Sequence, residues 1–442
     1  MLFLTLSLSL ALQPVAAQSV LRDAETEAFL RDMARPLYEA AGLRPENVQI
    51  VLLHSKEVNA FVAGGQIVYI YSGTMTAASN ANEIQGIVAH EIGHITGGHV
   101  IRLNEGARTA TGITILSILL GVAAMAAGAG EAGMGVMAAG QQAALGKFLA
   151  FSRTQESATD QAGAKFLSRA GITGKGSIAF FKKLQNTEFR LAISQDNGYA
   201  RTHPLNGERI AALEFLYRND AAWDTPPDPA LEARFQRVKA KLAGFVDDPK
   251  QTFVKYPESD ASVPGRYARA YAWHKSAYPD RANREIDGLL LAAPHDPYFL
   301  ELKGQILLES GKPKEALASL REAVARAPGQ PLISALLGHA LIATEDGGNY
   351  REAKDVLRAA VGRDNTNPFA WYQLGVVYGH EGDEPRAALA TAERYNLEGA
   401  PKLALAHAEQ AMKGIPTGSP DWIRAQDIAM VSRTEVEKNK NR

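Results

Sequence analysis

The run Gly86-Ile87-Val88-Ala89-His90-Glu91-Ile92-Gly93-His94-Ile95 constrains the fold more than any other stretch, because its chemistry works only on a helix. Residues four apart share a helix face, so His90 and His94 can present two imidazoles to one metal ion, with Glu91 beside them. Asn80 and Glu83 supply an N-cap and its reciprocal acid three residues on, which starts the helix just upstream. Ile84, Ile87, Val88 and Ile95 give that helix an apolar stripe to bury. The plain alternative is a chance match on a core helix, and the capping signal together with the apolar flanks speaks against it.

Two imidazoles do not complete such a site, which takes a third protein ligand and leaves one position open for water. A histidine at position 100 would supply the third ligand of the metzincin pattern, but that residue is Val100 and the nearby histidine is His99, which closes that route. Further on, Ser152 to Gly163 carries Glu156 and Asp160 four residues apart. One carboxylate can bind the metal while the other accepts the free ring N–H of a ligating histidine and fixes its tautomer. The small residues Ala162, Gly163 and Ala164 on the next turn would let this second helix approach the first. Taken alone, the two acids would read as an ordinary solvated pair; beside the His-Glu-x-x-His motif the ligand reading is preferred.

The two motifs in this order, followed by Thr202-His203-Pro204 and Arg209, resemble the zinc metallopeptidase family that includes the CAAX prenyl proteases and periplasmic proteases of beta-barrel assembly. The likeness runs over roughly residues 25 to 215. It implies an α+β zincin-like (gluzincin) peptidase domain holding one zinc ion per chain through His90, His94 and Glu156, with Asp160 behind a ligand histidine. It also implies Glu91 as general base. His203, held extended before proline, would either fill the open position in a resting enzyme or donate to the developing oxyanion together with Arg209.

Val48 to Leu53 and Gln66 to Tyr71 are rich in Val, Ile, Leu and Tyr and predict a hairpin whose connection ends in Gly64-Gly65. In relatives the segment corresponding to Asn59-Ala60-Phe61 leads into a strand along the cleft, so the resemblance implies substrate binding there by strand addition. A plain core hairpin is the alternative. Arg22 to Gly42 predicts an amphipathic helix stopped by the glycine, and Lys175 to Gln185 a further helix.

With 442 residues the chain has room for two cores, and its net charge of −1 points away from nucleic acid. It holds no cysteine, so disulfides and thiolate zinc sites are excluded. Leu2 to Leu12 is too short an apolar run to cross a bilayer, and Val15-Ala16-Ala17 before Gln18 fits a cleavage site. Residues 1–17 therefore read as a signal peptide directing the chain to a periplasm, although the usual basic start is missing; a core segment is the alternative.

Thr109 to Gly130 has no charged residue, and after Glu131 a second run rich in Gly, Ala and Met continues to Leu145. Three readings compete: a lid or membrane-surface segment near the active site, helices packed in the core, or membrane spans as in the prenyl-protease relatives. The first is preferred, because Gly, Ala, Thr and Ser dilute the apolar character outside Ile113 to Val122.

A proline-rich break at Trp223 to Pro229 ends the first domain, predicted over 18–225, and 226–260 reads as a linker containing one charged helix. In the remainder, 261–442, Gly304 and Gly338 are 34 residues apart, as are Pro297 and Pro331. That is the tetratricopeptide period. The next interval lengthens to 37 residues, for Gly338 to Gly375 and for Pro331 to Pro368, with the extra residues in Glu345 to Asn349. About four helix pairs stacked as an all-α superhelix are predicted, with Trp371 and Tyr372 as groove aromatics and Trp422 in a capping helix.

The substrate class follows from the resemblance: misfolded or stalled outer-membrane proteins, with the repeats docking on the assembly machinery and peripheral contact with the membrane. Two other functions stay open, a chaperone or adaptor acting through the repeats with a latent peptidase, and a general periplasmic peptidase.

Overall fold

The computed structural model of the chain describes residues 20–99, 111, 113–120, 130–191 and 207–440. The predicted signal peptide and His203 lie outside the described residues. These divide into two compact units, one comprising Thr26–Leu242 with the first strand, the other Ala243 onward with Asp23–Glu25.

In the first unit, strand β1 (Val20–Leu21) leads to helix α1 (Ala24–Ala40). Phe29, Leu30, Met33, Leu37 and Tyr38 of α1 recur at helical spacing and are buried. Gly42 then turns the chain with φ +72, a conformation that favours glycine. Strands β2 (Gln49–Leu53), β3 (Ala60–Ala63) and β4 (Ile67–Tyr71) complete a four-stranded sheet in the order β1-β2-β4-β3.

The sheet corrects the predicted hairpin. β2 and β4 lie side by side but run parallel, with Gln49 opposite Ile67 and Leu53 opposite Tyr71. The hairpin is formed instead by β3 and β4, antiparallel, around Gly64 and Gly65 at φ +63 and +100. Ala60–Ala63 is four residues of Ala, Phe and Val, too short for its strand character to stand out. Its pairing with β4 leaves it at one edge of the sheet.

Helix α2 (Ser72–Ala77) leads into α3 (Ala81–Thr96), which carries the His-Glu-x-x-His motif. The capping signal is realised: Asn80 accepts the Glu83 N–H at 3.0 Å, and Glu83 reaches back to the Ser79 N–H at 2.8 Å. From Ala81 to Gly93 every residue of α3 is buried, so this helix is the centre of the unit. The 40-residue helix α4 (Gly130–Arg169) packs against it, followed by α5 (Lys175–Leu191), α6 (Gly207–Arg218) and α7 (Pro229–Val246).

Within the region 109–145, the described residues are helical at 113–120 and again from Gly130, where α4 runs on unbroken as far as Glu156 and beyond. Gly140 meets Ser117 so closely that a Cβ would fall 1.9 Å from the serine Cβ. Ile115, Leu116, Leu119 and Leu120 are exposed. No described helix is long and apolar enough to cross a membrane.

The second unit is a succession of antiparallel helix pairs: Val263–Lys275 with Pro279–Ala292, Pro297–Glu309 with Pro313–Arg326, Pro331–Ala343 with Tyr350–Arg363, Pro368–His380 with Glu384–Leu397, and Pro401–Gly414 with Pro420–Lys440. Proline in the first turn needs no N–H partner and presets φ, which is why so many of these helices begin with it. The repeating glycines sit where paired helices cross: a Cβ on Gly304 would come within 2.4 Å of Leu320, and one on Gly338 within 2.5 Å of Leu357. Of the two predicted groove aromatics only Tyr372 is exposed. Trp371 is buried, donates its indole N–H to the Asn365 carbonyl at 2.9 Å and lies under Arg424.

Candidate metal centre

Helix α3 brings His90 and His94 to one face, and α4 brings Glu156 opposite them. The close approach depends on small residues: a Cβ on Gly93 would lie 2.8 Å from the Thr159 carbonyl oxygen, and one on Gly163 3.1 Å from the Ala89 carbonyl oxygen. His90 Nε2 is then 3.2 Å from His94 Nε2 and 3.4 Å from Glu156 Oε2, while His94 Nε2 is 3.4 Å from Glu156 Oε1. Donors placed about 2.0–2.1 Å from a tetrahedral ion are separated by about 3.3–3.4 Å, so the two imidazole nitrogens and the carboxylate already stand near ligand spacing. Among the described residues this is the group of three donors that fits one ion.

A donor set of two imidazoles and one carboxylate suits zinc or a similar divalent metal and leaves a fourth position for substrate or water. Glu91 follows His90 on α3 and is fully buried.

Behind the donors lies a layer of partners. His90 Nδ1 is 3.0 Å from Asp160 Oδ1, so a neutral His90 donates from Nδ1 and offers Nε2 to a metal. Burial alone would depress the His90 imidazolium, but hydrogen bonding and charge from Asp160 and Glu156 outweigh it and push the metal-free group up to about 10. Burial would raise the Asp160 carboxyl, yet the hydrogen bonds from His90 and Arg209 hold it below its ordinary range.

Arg209, at the start of α6, donates from Nε to Asp160 Oδ2 at 2.7 Å and from Nη2 to Asp160 Oδ1 at 2.8 Å, while its Nη1 lies 3.2 Å from Glu156 Oε2. Its guanidinium thus faces the two carboxylates, and it stands over the ring of Phe181 from α5. Phe181 also meets the His90 ring edge-on, closing that side of the site with an apolar wall.

Of the proposed substrate segment, Asn59 is buried and tied inward, its N–H donating to Thr74 Oγ1 at 2.8 Å and its carbonyl accepting from that hydroxyl at 2.6 Å. Ala60 is also buried, and Phe61 on edge strand β3 stacks on Tyr69 at 5.0 Å.

Motif spacing overlooks one residue. His99, set aside because it stands one place short of the metzincin position, has its Nδ1 3.0 Å from His94 Nδ1 and 3.0 Å from Thr159 Oγ1. The available signal was Gly97-Gly98, a helix stop able to fold the next side chain back on the motif.

Comparison with known proteins agrees with this geometry. Residues 21–216 match the model of Peptidase family M48, and residues 275–331 and 343–407 match that of the tetratricopeptide repeat. A relative named beta-barrel assembly-enhancing protease, from Escherichia coli (strain K12), is 24% identical over 375 residues, covering 83% of this chain and 75% of the relative. One of the same name from Yersinia pestis is 24% identical over 384 residues, covering 84% and 76%. Metalloprotease LoiP of Escherichia coli (strain K12) is 29% identical over 169 residues, 38% of this chain and 60% of the relative.

Proposed function

We propose, for a chain that joins a Peptidase family M48 metallopeptidase domain to tetratricopeptide repeats, that it is a zinc-dependent endopeptidase of the periplasm acting on misfolded or stalled outer-membrane proteins. The observation that carries the chemistry is the ligand spacing of His90, His94 and Glu156 across two helices. The name shared by its relatives supports the substrate class and a role in beta-barrel assembly. The repeats would supply the docking surface for the assembly machinery, and the exposed apolar side chains at Ile115 to Leu120 a peripheral membrane contact.

Zinc, when bound, acidifies a water molecule and polarises the scissile carbonyl. The remaining work falls to the chain. Glu91, buried beside the ligands, takes the proton of the attacking water and returns it to the leaving amine nitrogen. Asp160 keeps the Nδ1 proton of His90 in place, so that Nε2 stays directed at the ion. Arg209 holds Asp160 and Glu156 in position, and His203, from the segment just before it in the sequence, is assigned as donor to the oxyanion. The outer edge of β3, entered through Asn59 and begun by Ala60 and Phe61, would bind an extended substrate by adding it as a further strand.

Glu91→Gln tests this directly. It should retain one zinc per chain and lose turnover of an unfolded outer-membrane protein by about 10²–10⁴-fold. Undiminished turnover would remove Glu91 as the base. Equal cleavage by the wild type of unfolded casein and of an unassembled barrel protein would replace the proposed substrate class with general proteolysis. Rescue of a barrel-assembly defect by Glu91→Gln would assign that role to the repeats.

A further inference from the structure

A histidine that binds a metal through one ring nitrogen carries its hydrogen on the other, and that N–H needs an acceptor to fix the ring and its tautomer. For His90 the acceptor is Asp160. His94 directs Nε2 toward Glu156 and His90, so its Nδ1–H points the other way, where His99 Nδ1 stands 3.0 Å off. Two ring nitrogens at that distance share one hydrogen. With Nε2 of His94 given to the ion, the hydrogen belongs to His94 and the lone pair to His99, whose own hydrogen is then on Nε2.

The backbone is shaped for this contact. α3 ends at Thr96, Gly97 caps it, and Gly98 turns the chain in the left-handed region at φ +64. The His99 ring comes to rest over Gly97, where a Cβ would fall 2.5 Å from its Nε2. Thr159 of α4, brought in by the close crossing at Gly93, places its hydroxyl 3.0 Å from His99 Nδ1. The ring is buried, at 7% exposure.

We propose that His99 is a positioning residue of the metal centre, fixing the tautomer and orientation of His94 as Asp160 does for His90. This rests on the metal-site reading above. The test is zinc affinity of the full-length chain, measured by competition with a chromophoric chelator, together with the visible spectrum of the cobalt(II) form.

His99→Phe fills the space without an acceptor and should weaken zinc binding by about 10–100-fold and alter the cobalt spectrum. His99→Asn, whose amide oxygen can stand near the position of Nδ1, should restore most of the affinity. Gly97→Ala, which displaces the ring but leaves it in the chain, should weaken binding in the same direction and keeps the test open if the phenylalanine variant fails to fold. Wild-type affinity in both His99→Phe and Gly97→Ala would overturn the proposal. So would asparagine binding as weakly as phenylalanine, since that would mark a packing role alone. A wild type that binds no zinc would instead remove the metal site, and this inference with it.

Discussion

Among the described residues, each unit buries one arginine against a carboxylate, and the two arginines do different work. In the repeat unit Arg269 is 1% exposed; its Nε and Nη2 donate to Glu285 at 2.7 and 3.0 Å, and its Nη1 to the carbonyls of Pro257 and Asp260 at 2.7 and 2.8 Å. All its partners are structural, and the cluster fastens the start of the repeat array. In the peptidase unit Arg209 grips Asp160 with the same fork, but Asp160 in turn holds His90, and Glu156 is itself a donor of the candidate site. The motif is the same. What differs is whether the far side of the carboxylate faces more protein or a convergent set of imidazoles.

That contrast can be broken by mutation. Arg209→Ala takes the guanidinium from buried Asp160 and Glu156 and should cost about 3–5 kcal/mol of stability, whereas Arg269→Ala leaves partly buried Glu285 with Arg266 at 3.3 Å and should cost somewhat less, both read by chemical denaturation. Only Arg209→Ala should also weaken zinc binding, by about 10–100-fold. Equal zinc affinity in the two variants would make Arg209 structural, like its counterpart.

The helix crossings give a smaller version of the comparison. Gly93→Ala pushes α3 from α4 at Thr159, and Gly338→Ala pushes a methyl into Leu357. Overpacking of this kind costs about 1–3 kcal/mol at either place. Zinc affinity should fall in the first and stay level in the second, which separates a crossing that aligns ligands from one that aligns only apolar side chains. Smallest of all, Lys354→Ala removes the partly exposed pair with Glu381 at 2.7 Å. It should change stability by at most about 1 kcal/mol and leave zinc affinity unaltered.

What the sequence makes legible is local or periodic. The cap at Asn80, the histidine face of α3 and the 34-residue recurrence each depend on neighbours within one or two turns or on repetition, and all three survive in a bare string of residues. The parallel pairing of β2 with β4 does not, because it depends on a third strand of only four residues taking the outer place. Trp371 and Tyr372 are adjacent aromatics in one helix, and only the packing of neighbouring helices decides that the first is core and the second exposed.

At the site, residue types narrow the third donor to Glu156 or Asp160, and the choice between them needs the three-dimensional arrangement. There Glu156 oxygens face both Nε2 atoms while Asp160 faces Nδ1. His99 escapes a spacing rule because its role depends on a left-handed turn at Gly98. Arg209, 49 residues from Asp160, is brought to it only by tertiary packing.

The most direct measurement is anomalous diffraction from crystals of the zinc-loaded protein, collected on both sides of the zinc absorption edge. One full-occupancy peak per chain is expected within about 2.0–2.2 Å of His90 Nε2, His94 Nε2 and a Glu156 carboxylate oxygen. A peak bound elsewhere, or one at the two histidines with Glu156 turned away, would contradict it.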